Sequence, residues 1–220
     1  MAQPDLRHPL FARFYARIAG PALEKAGVTE YRTRLLAGLS GRVIEIGAGN
    51  GLNFPHYPPE VERLTAVEPE PHLRALATEA ARTAPVTIEV TDARGERLPA
   101  PDASFDAAVV CMALCSVPDQ AAVLAELHRV LRPGGQLRCF EHVRADSPVM
   151  RRVQRVVDAT VWPLLCGGCH TGRDTEAAVT AAGFTVTHLE KFAFPAARVP
   201  SPAATHILCT AERARTAGPA

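Results

Sequence analysis

The segment Val43-Ile44-Glu45-Ile46-Gly47-Ala48-Gly49-Asn50-Gly51-Leu52-Asn53 decides the fold. A short β-branched run ends in glycines at alternate positions, the pattern of a buried strand turning tightly toward a helix. Without Cβ atoms at Gly47, Gly49 and Gly51, the turn can take positive φ and a ligand can lie against bare backbone. The helix expected next would point its free N–H groups back at that ligand. Glu45 separates this loop from pyrophosphate cradles, which read G-x-G-x-x-G and reserve a helix N-terminus for phosphate. A carboxylate at the strand end repels an anion and suits a ligand with a cationic amine and no phosphate.

Working outward, Arg63 to Glu68 reads as a second strand ending in an acid, 17 residues beyond Gly51. That is close to the interval at which doubly wound folds place a carboxylate for ribose hydroxyls, and two acceptor oxygens suit a vicinal diol. Pro69-Glu70-Pro71 stops the strand, and Leu73 to Arg82 forms an Ala-rich helix. Residues 86–90 alternate as strand three; Asp106 to Cys111 is strand four. Met112 to Val117 then leaves the carboxyl end of strand four, where open α/β sheets bind ligands. A helix from about Pro118 to Leu131 carries Val123, Leu124, Leu127 and Val130 on one face and stops at Pro133-Gly134-Gly135. Strand five, Gln136 to Glu141, delivers Glu141 and His142 to the same sheet edge. Thr175 to Ala182 is a last helix; Phe184 to Phe192 and Thr205 to Ala211 are the final strands, joined through a proline-rich loop from Pro195 to Pro202.

Residues 1–40 hold Leu10, Phe11, Phe14, Tyr15, Ile18 and Leu23 at helical spacing, with expected breaks at Gly20-Pro21 and Gly27. They read as a helical cap packed on the sheet edge, or as a lid over the ligand with Tyr15 as its contact. Arg7, Arg13 and Arg17 beside Phe11 and Phe14 form a solvated face, or one that rests peripherally on a membrane surface. Residues 41–220 form the main domain, with an amphipathic insertion near 146–173 serving as a roof.

At 220 residues and a net charge of +1, the chain fits one domain and carries no field that argues for nucleic acid. No apolar run approaches the roughly 18 residues of a membrane span. The start, Met-Ala-Gln-Pro-Asp, is unlike a secretory signal, so a cytoplasmic location is expected. Six cysteines sit mostly in apolar segments as buried thiols. Cys166-Gly-Gly-Cys169-His170 resembles half of a zinc site, but no second ligand pair is spaced for it, so no metal is expected.

Four features, in order, resemble class I S-adenosylmethionine-dependent methyltransferases of the methyltransferase type 11 kind: the Glu45-to-Gly51 loop, Glu68, Ser104-Phe105-Asp106, and Leu131 to Gly135. Further residues resemble the thiol S-methyltransferase-like branch: Gly51 to Pro58, Leu114-Cys115-Ser116-Val117, Glu141-His142-Val143, Asp158, Trp162, Gly168-Cys169 and Arg173. The resemblance implies a Rossmann-like, seven-stranded doubly wound α/β sheet with the last strand antiparallel. It implies S-adenosylmethionine as cofactor, held by Glu45, Gly47, Ala48, Gly49, Gly51, Asn53, Glu68, Pro69, Gly95, Cys111 and Met112, together with Tyr15. Either Asp92 or Glu96 would meet the adenine.

Methyl transfer from a sulfonium is an in-line displacement that consumes positive charge, so it needs mainly alignment and a dry pocket. A thiol acceptor needs its thiolate favoured; a hydroxyl or enolisable carbon needs a base beside it. The candidates are His142, oriented by Glu141, and His170 in the roof. The acceptor expected is a small, mostly apolar molecule. A thiol is the first choice, a quinone or polyketide-like ring taking C- or O-methylation the second, and non-catalytic cofactor binding the third.

Overall fold

The computed structural model describes residues 8–195 and 201–215. Arg7 of the basic face and most of the 195–202 loop lie outside the described residues. Seven strands, β1 (Gly41–Ile46), β2 (Val61–Val67), β3 (Ile88–Thr91), β4 (Phe105–Cys111), β5 (Leu131–His142), β6 (Phe184–Ala193) and β7 (Thr205–Arg213), form one sheet in the order β3-β2-β1-β4-β5-β7-β6. β7 runs antiparallel to both of its neighbours, against the direction of the other six strands. β1 and β4 are central and buried on both faces, which is why their sequences are near-continuous apolar runs.

Among the described residues eight α-helices flank the sheet: α1 (Pro9–Phe14), α2 (Gly20–Lys25), α3 (Val28–Leu36), α4 (Pro71–Ala81), α5 (Gln120–Val130), α6 (Pro148–Asp158), α7 (Trp162–Leu165) and α8 (Thr175–Ala181). Alternation along β1 divides the core. Ile44 and Ile46 pack with Leu124 and Leu127 of α5 and Val179 of α8, while Val43 packs with Leu35, Leu36 and Ala77 of α3 and α4. Asp119, Glu70 and Asp174 cap α5, α4 and α8 by accepting from backbone N–H groups in the first turn.

The structure departs from the sequence expectations in four places. No α-helix follows the glycine loop: a single 3₁₀ turn at Phe54–His56 leads straight toward β2. Pro55, Pro58 and Pro59 remove three backbone donors there, so an α-helix cannot propagate. Gly20-Pro21 does not break the N-terminal helix either. A π turn over Tyr15–Ala19 joins α1 to α2 and absorbs the missing proline N–H. Leu10, Phe14 and Ile18 face solvent instead of a packing layer, as do Val149 and Val156 of α6. Finally β5 begins at Leu131, ahead of the Pro-Gly-Gly stop, through a register shift: Phe105 pairs with Leu131 but Ala107 pairs with Gln136.

Candidate active site

The chain reverses its winding direction between β1 and β4, and the loops leaving the carboxyl ends of β1, β2 and β4 diverge around a crevice. The cleft has an empty volume of about 1120 Å³, open solvent included, on the scale of small-molecule sites. Gly47, Ala48, Gly49, Asn50 and Asn53 supply one wall, Glu68 and Pro69 the end of β2, Gly95 and Glu96 the loop after β3, and Cys111 and Met112 the end of β4. Gly49 has φ +59°, and a Cβ there would meet only Tyr15 Cε1 at 3.7 Å, so its bare backbone faces the cleft. Gly51 instead packs behind the loop, where a Cβ would strike the Phe54 ring at 2.8 Å. Met112 takes φ +53°, a strained conformation for a side-chain-bearing residue at the cleft edge.

Two buried carboxylates organise this wall. Glu68 Oε2 accepts from Gly49 N at 2.7 Å, and Oε1 accepts from Glu70 N at 2.9 Å. The acid at the end of β2 therefore holds the glycine loop directly. Burial, opposed by these two hydrogen bonds, pushes the Glu68 carboxyl up to about 7. Glu45 accepts from Asn53 Nδ2 at 2.6 Å and from the Tyr57 hydroxyl at 2.9 Å, and burial pushes it to about 7 as well. Arg32 of α3, only 3% exposed, donates through Nη1 to Asn53 Oδ1 at 2.6 Å and approaches Cys111 Sγ at 3.4 Å. Burial raises the Cys111 thiol to about 12, so it stands as a neutral wall.

Some buried polar atoms on this cleft have no hydrogen-bond partner among the described residues: Arg32 Nη2, Asn50 Oδ1 and both carboxylate oxygens of Glu96. Arg94 Nε stands 3.8 Å from Glu96 Oε2, beyond hydrogen-bond reach. Asp92 lies apart, exposed and paired with Arg74 at 2.9 Å. Of the two acids left open by the sequence, Glu96 is the one on the cleft.

Tyr15 lines the cleft, joined by His8, Phe11 and Arg32, which sequence reasoning did not select. Arg32 had no visible signal, because its neighbours Tyr31 and Arg34 made it one polar position of an ordinary helix. Neither candidate base, His142 or His170, nor Glu141 lines the cleft. Glu141 spends its carboxylate on the β4–α5 loop, accepting from Ala113 N at 2.8 Å, Leu114 N at 3.0 Å and Cys115 N at 3.3 Å. His142 turns its Nε2 to Cys169 Sγ at 3.1 Å, and His170 pairs its Nδ1 with the Gly168 carbonyl at 2.8 Å.

The segment expected from sequence as a roof, residues 146–173, is tied down by its own polar groups, and Gly167 of it lines the cleft. Asp158 accepts from Thr171 N at 2.7 Å and Gly172 N at 2.9 Å, and Arg173 donates to the Leu114 and Val117 carbonyls at 2.7 and 2.6 Å. Gln154, 1% exposed, accepts from Ala145 N at 2.9 Å and donates to the carbonyls of Val143, Thr171 and Pro202. Sequence reasoning passed over Gln154 as one more polar residue of an amphipathic helix.

An open α/β sheet with a glycine bend, an acid at the end of β2 and an acidic, phosphate-hostile cleft defines a nucleoside-binding transferase of the class I kind. The methyltransferase domain family matches residues 44–139. Human thiol S-methyltransferase TMT1A is 35% identical over 164 residues, covering 72% of this chain and 67% of that protein. The ubiquinone/menaquinone biosynthesis C-methyltransferase UbiE of Hahella chejuensis is 36% identical over 89 residues, covering 40% of this chain and 35% of that protein. A solved S-adenosylmethionine-dependent methyltransferase from Mesorhizobium loti superposes with a TM-score of 0.63 at 22% identity, covering 87% of this chain and all of that one.

The chain belongs to the S-adenosylmethionine-dependent methyltransferase family that includes these thiol S-methyltransferases. It is a methyltransferase, and its cofactor is S-adenosylmethionine. The cleft fits that cofactor on its own chemistry: Glu96 and Asn50 offer unused acceptors, Arg32 an unused donor, and Gly49 a stretch of uncovered backbone. No helix among the described residues is long and apolar enough to cross a membrane.

Proposed function

We propose that this enzyme methylates small, mostly apolar thiols. The cofactor supplies the electrophilic methyl group. Glu96 accepts from the adenine amine, the free lone pairs of Glu68 receive the ribose hydroxyls, and Arg32 Nη2 takes the methionine carboxylate. Glu45 adds negative potential beside the amine through the Asn53 network.

The observation carrying the thiol reading is the composition of the cleft beyond Met112. Phe11, Met112, Ser116, Val117 and Gly167 line it, and His8 is the one imidazole beside them among the described residues. Glu141 and His142 are turned to other work. A ring carbon or hydroxyl requires a strong base within about 3 Å, whereas a thiol ionises near pH 8.5 and needs little help. His8 is the group placed to receive its proton. The relationship to TMT1A supports the same reading.

Release of S-adenosylhomocysteine with a panel of alkyl and aryl thiols, quinols and phenols tests it. Turnover confined to thiols is expected. Turnover confined to quinols would overturn it in favour of C- or O-methylation, the alternative that the relationship to UbiE supports over the shared domain.

A further inference from the structure

Behind the cleft wall, three segments distant in sequence converge on one point. Cys115 lies in the loop after β4, His142 ends β5, and Cys169 sits in the roof. Their ligand atoms all lie within 4.8 Å of one another, and Cys169 Sγ is 3.1 Å from His142 Nε2. The cysteines are 2% and 6% exposed and the histidine 9%. Trp162 Nε1 donates to Cys169 Sγ at 3.1 Å, a bond that strengthens when the sulfur carries charge. His142 Nδ1, the ring nitrogen turned away from Cys169, is buried with no partner among the described residues.

We propose that Cys115, His142 and Cys169 bind one thiophilic d¹⁰ cation, zinc(II), in a site that ties the roof to the sheet. Zinc holds thiolate sulfur at about 2.3 Å and imidazole nitrogen at about 2.0–2.1 Å, so tetrahedral neighbours stand roughly 3.3–3.8 Å apart, a spacing the cluster already approaches. Two thiolates and a neutral imidazole suit zinc and disfavour hard cations. Binding displaces the thiol protons to solvent, and a solvent ligand completes the coordination. The adjacent Ser116 and Val117, and Gly167 two residues before Cys169, all line the cleft, so the ion would fix the wall where the acceptor sits. Cys166, which the sequence pairs with Cys169, is outside the cluster.

The test uses the full chain, kept reduced and stripped with a chelator. Zinc is titrated against a chromophoric competitor, and cobalt(II) serves as spectroscopic probe. One zinc per chain is expected, with a thiolate-to-cobalt charge-transfer band. C115S and C169S should each weaken zinc by more than about tenfold, since even indirect support of a ligand carries tenfold or more. C166S should bind like the native chain. Calorimetric binding of S-adenosylhomocysteine by each variant shows that it has folded. No stoichiometric zinc, no thiolate-to-cobalt charge-transfer band, or loss in C166S but not in C115S would overturn the site.

Discussion

The cofactor side of the cleft and the roof over it are both rich in buried polar groups, but they use them oppositely. In the roof, Gln154, Asp158 and Arg173 spend their hydrogen-bonding capacity on backbone groups of the protein itself. On the cofactor side, Glu96, Asn50 and Arg32 keep shielded atoms without partners. A buried polar group left unmatched costs about 1–3 kcal/mol, so a fold retains one where something else completes it. The partnerless atoms gathered on the cleft mark where the ligand belongs; Arg151 Nε of α6 and His142 Nδ1 also lack a partner, away from the cleft.

The largest expected effect lies in the roof. Gln154→Ala leaves one buried N–H and three carbonyls short of a partner, and should lower unfolding stability by about 3 kcal/mol in denaturant titration. Affinity for S-adenosylhomocysteine should be unchanged. A fall in affinity with stability intact would break the contrast, because it would make Gln154 part of the cofactor site.

Glu68→Ala is the reciprocal experiment. It removes the proposed diol acceptor and also the partner of Gly49 N, so the glycine loop loses its anchor. Isothermal titration should show cofactor affinity reduced about a hundredfold, the scale of two hydrogen bonds to a charged group. Unchanged binding would sink the placement of the ribose.

Glu96→Ala should separate ligand recognition from stability within a single side chain. Losing one hydrogen bond to adenine weakens the cofactor about tenfold. The same change deletes two shielded oxygens that accept no hydrogen bond and have only the Arg94 guanidinium 3.8 Å away, so the thermal midpoint of the ligand-free protein should change little. A lowered midpoint would mean that Glu96 is bonded within the fold and is not awaiting a ligand.

How much of this was legible in the sequence follows the same division. The succession of strands, the glycine loop and the acid at the end of β2 could be read because each rests on local chain chemistry: β-branched runs, positive-φ positions and one recurrent interval; the seven-stranded sheet itself was implied by the family resemblance. The missing helix after the loop was also written there, in Pro55, Pro58 and Pro59, but the expectation built on the glycines outweighed it. Arg32, Gln154 and the grouping of Cys115, His142 and Cys169 were not legible. Their roles exist only once α3, α6 and the roof fold onto strands far away in the chain. Glu141 and His142 were correctly brought to the ligand edge of the sheet, yet their side chains turn away from the cleft, an orientation set by the β4–α5 loop they support.

The smallest expected effect concerns pH. The folded chain raises the Glu68 carboxyl from its ordinary value of 4.5 to about 7, so the ligand-free fold binds that proton more tightly than the unfolded chain does. Its contribution therefore favours folding at low pH and is lost as pH rises from about 4.5 through 7, the reverse of a salt-bridged carboxylate. Glu45, also raised to about 7, adds in the same direction. Cofactor binding runs the other way, because the ribose hydroxyls and the sulfonium charge both favour the carboxylate. Affinity should tighten as pH rises through 7 and weaken about fivefold from pH 7 to pH 6, the linkage of one proton. Calorimetry in buffers of differing ionisation enthalpy should show proton release on binding near neutral pH. In Glu68→Gln affinity is lower throughout and this slope is reduced to the share that Glu45 carries; an undiminished slope would assign the proton to Glu45 and leave Glu68 ionised before the cofactor arrives.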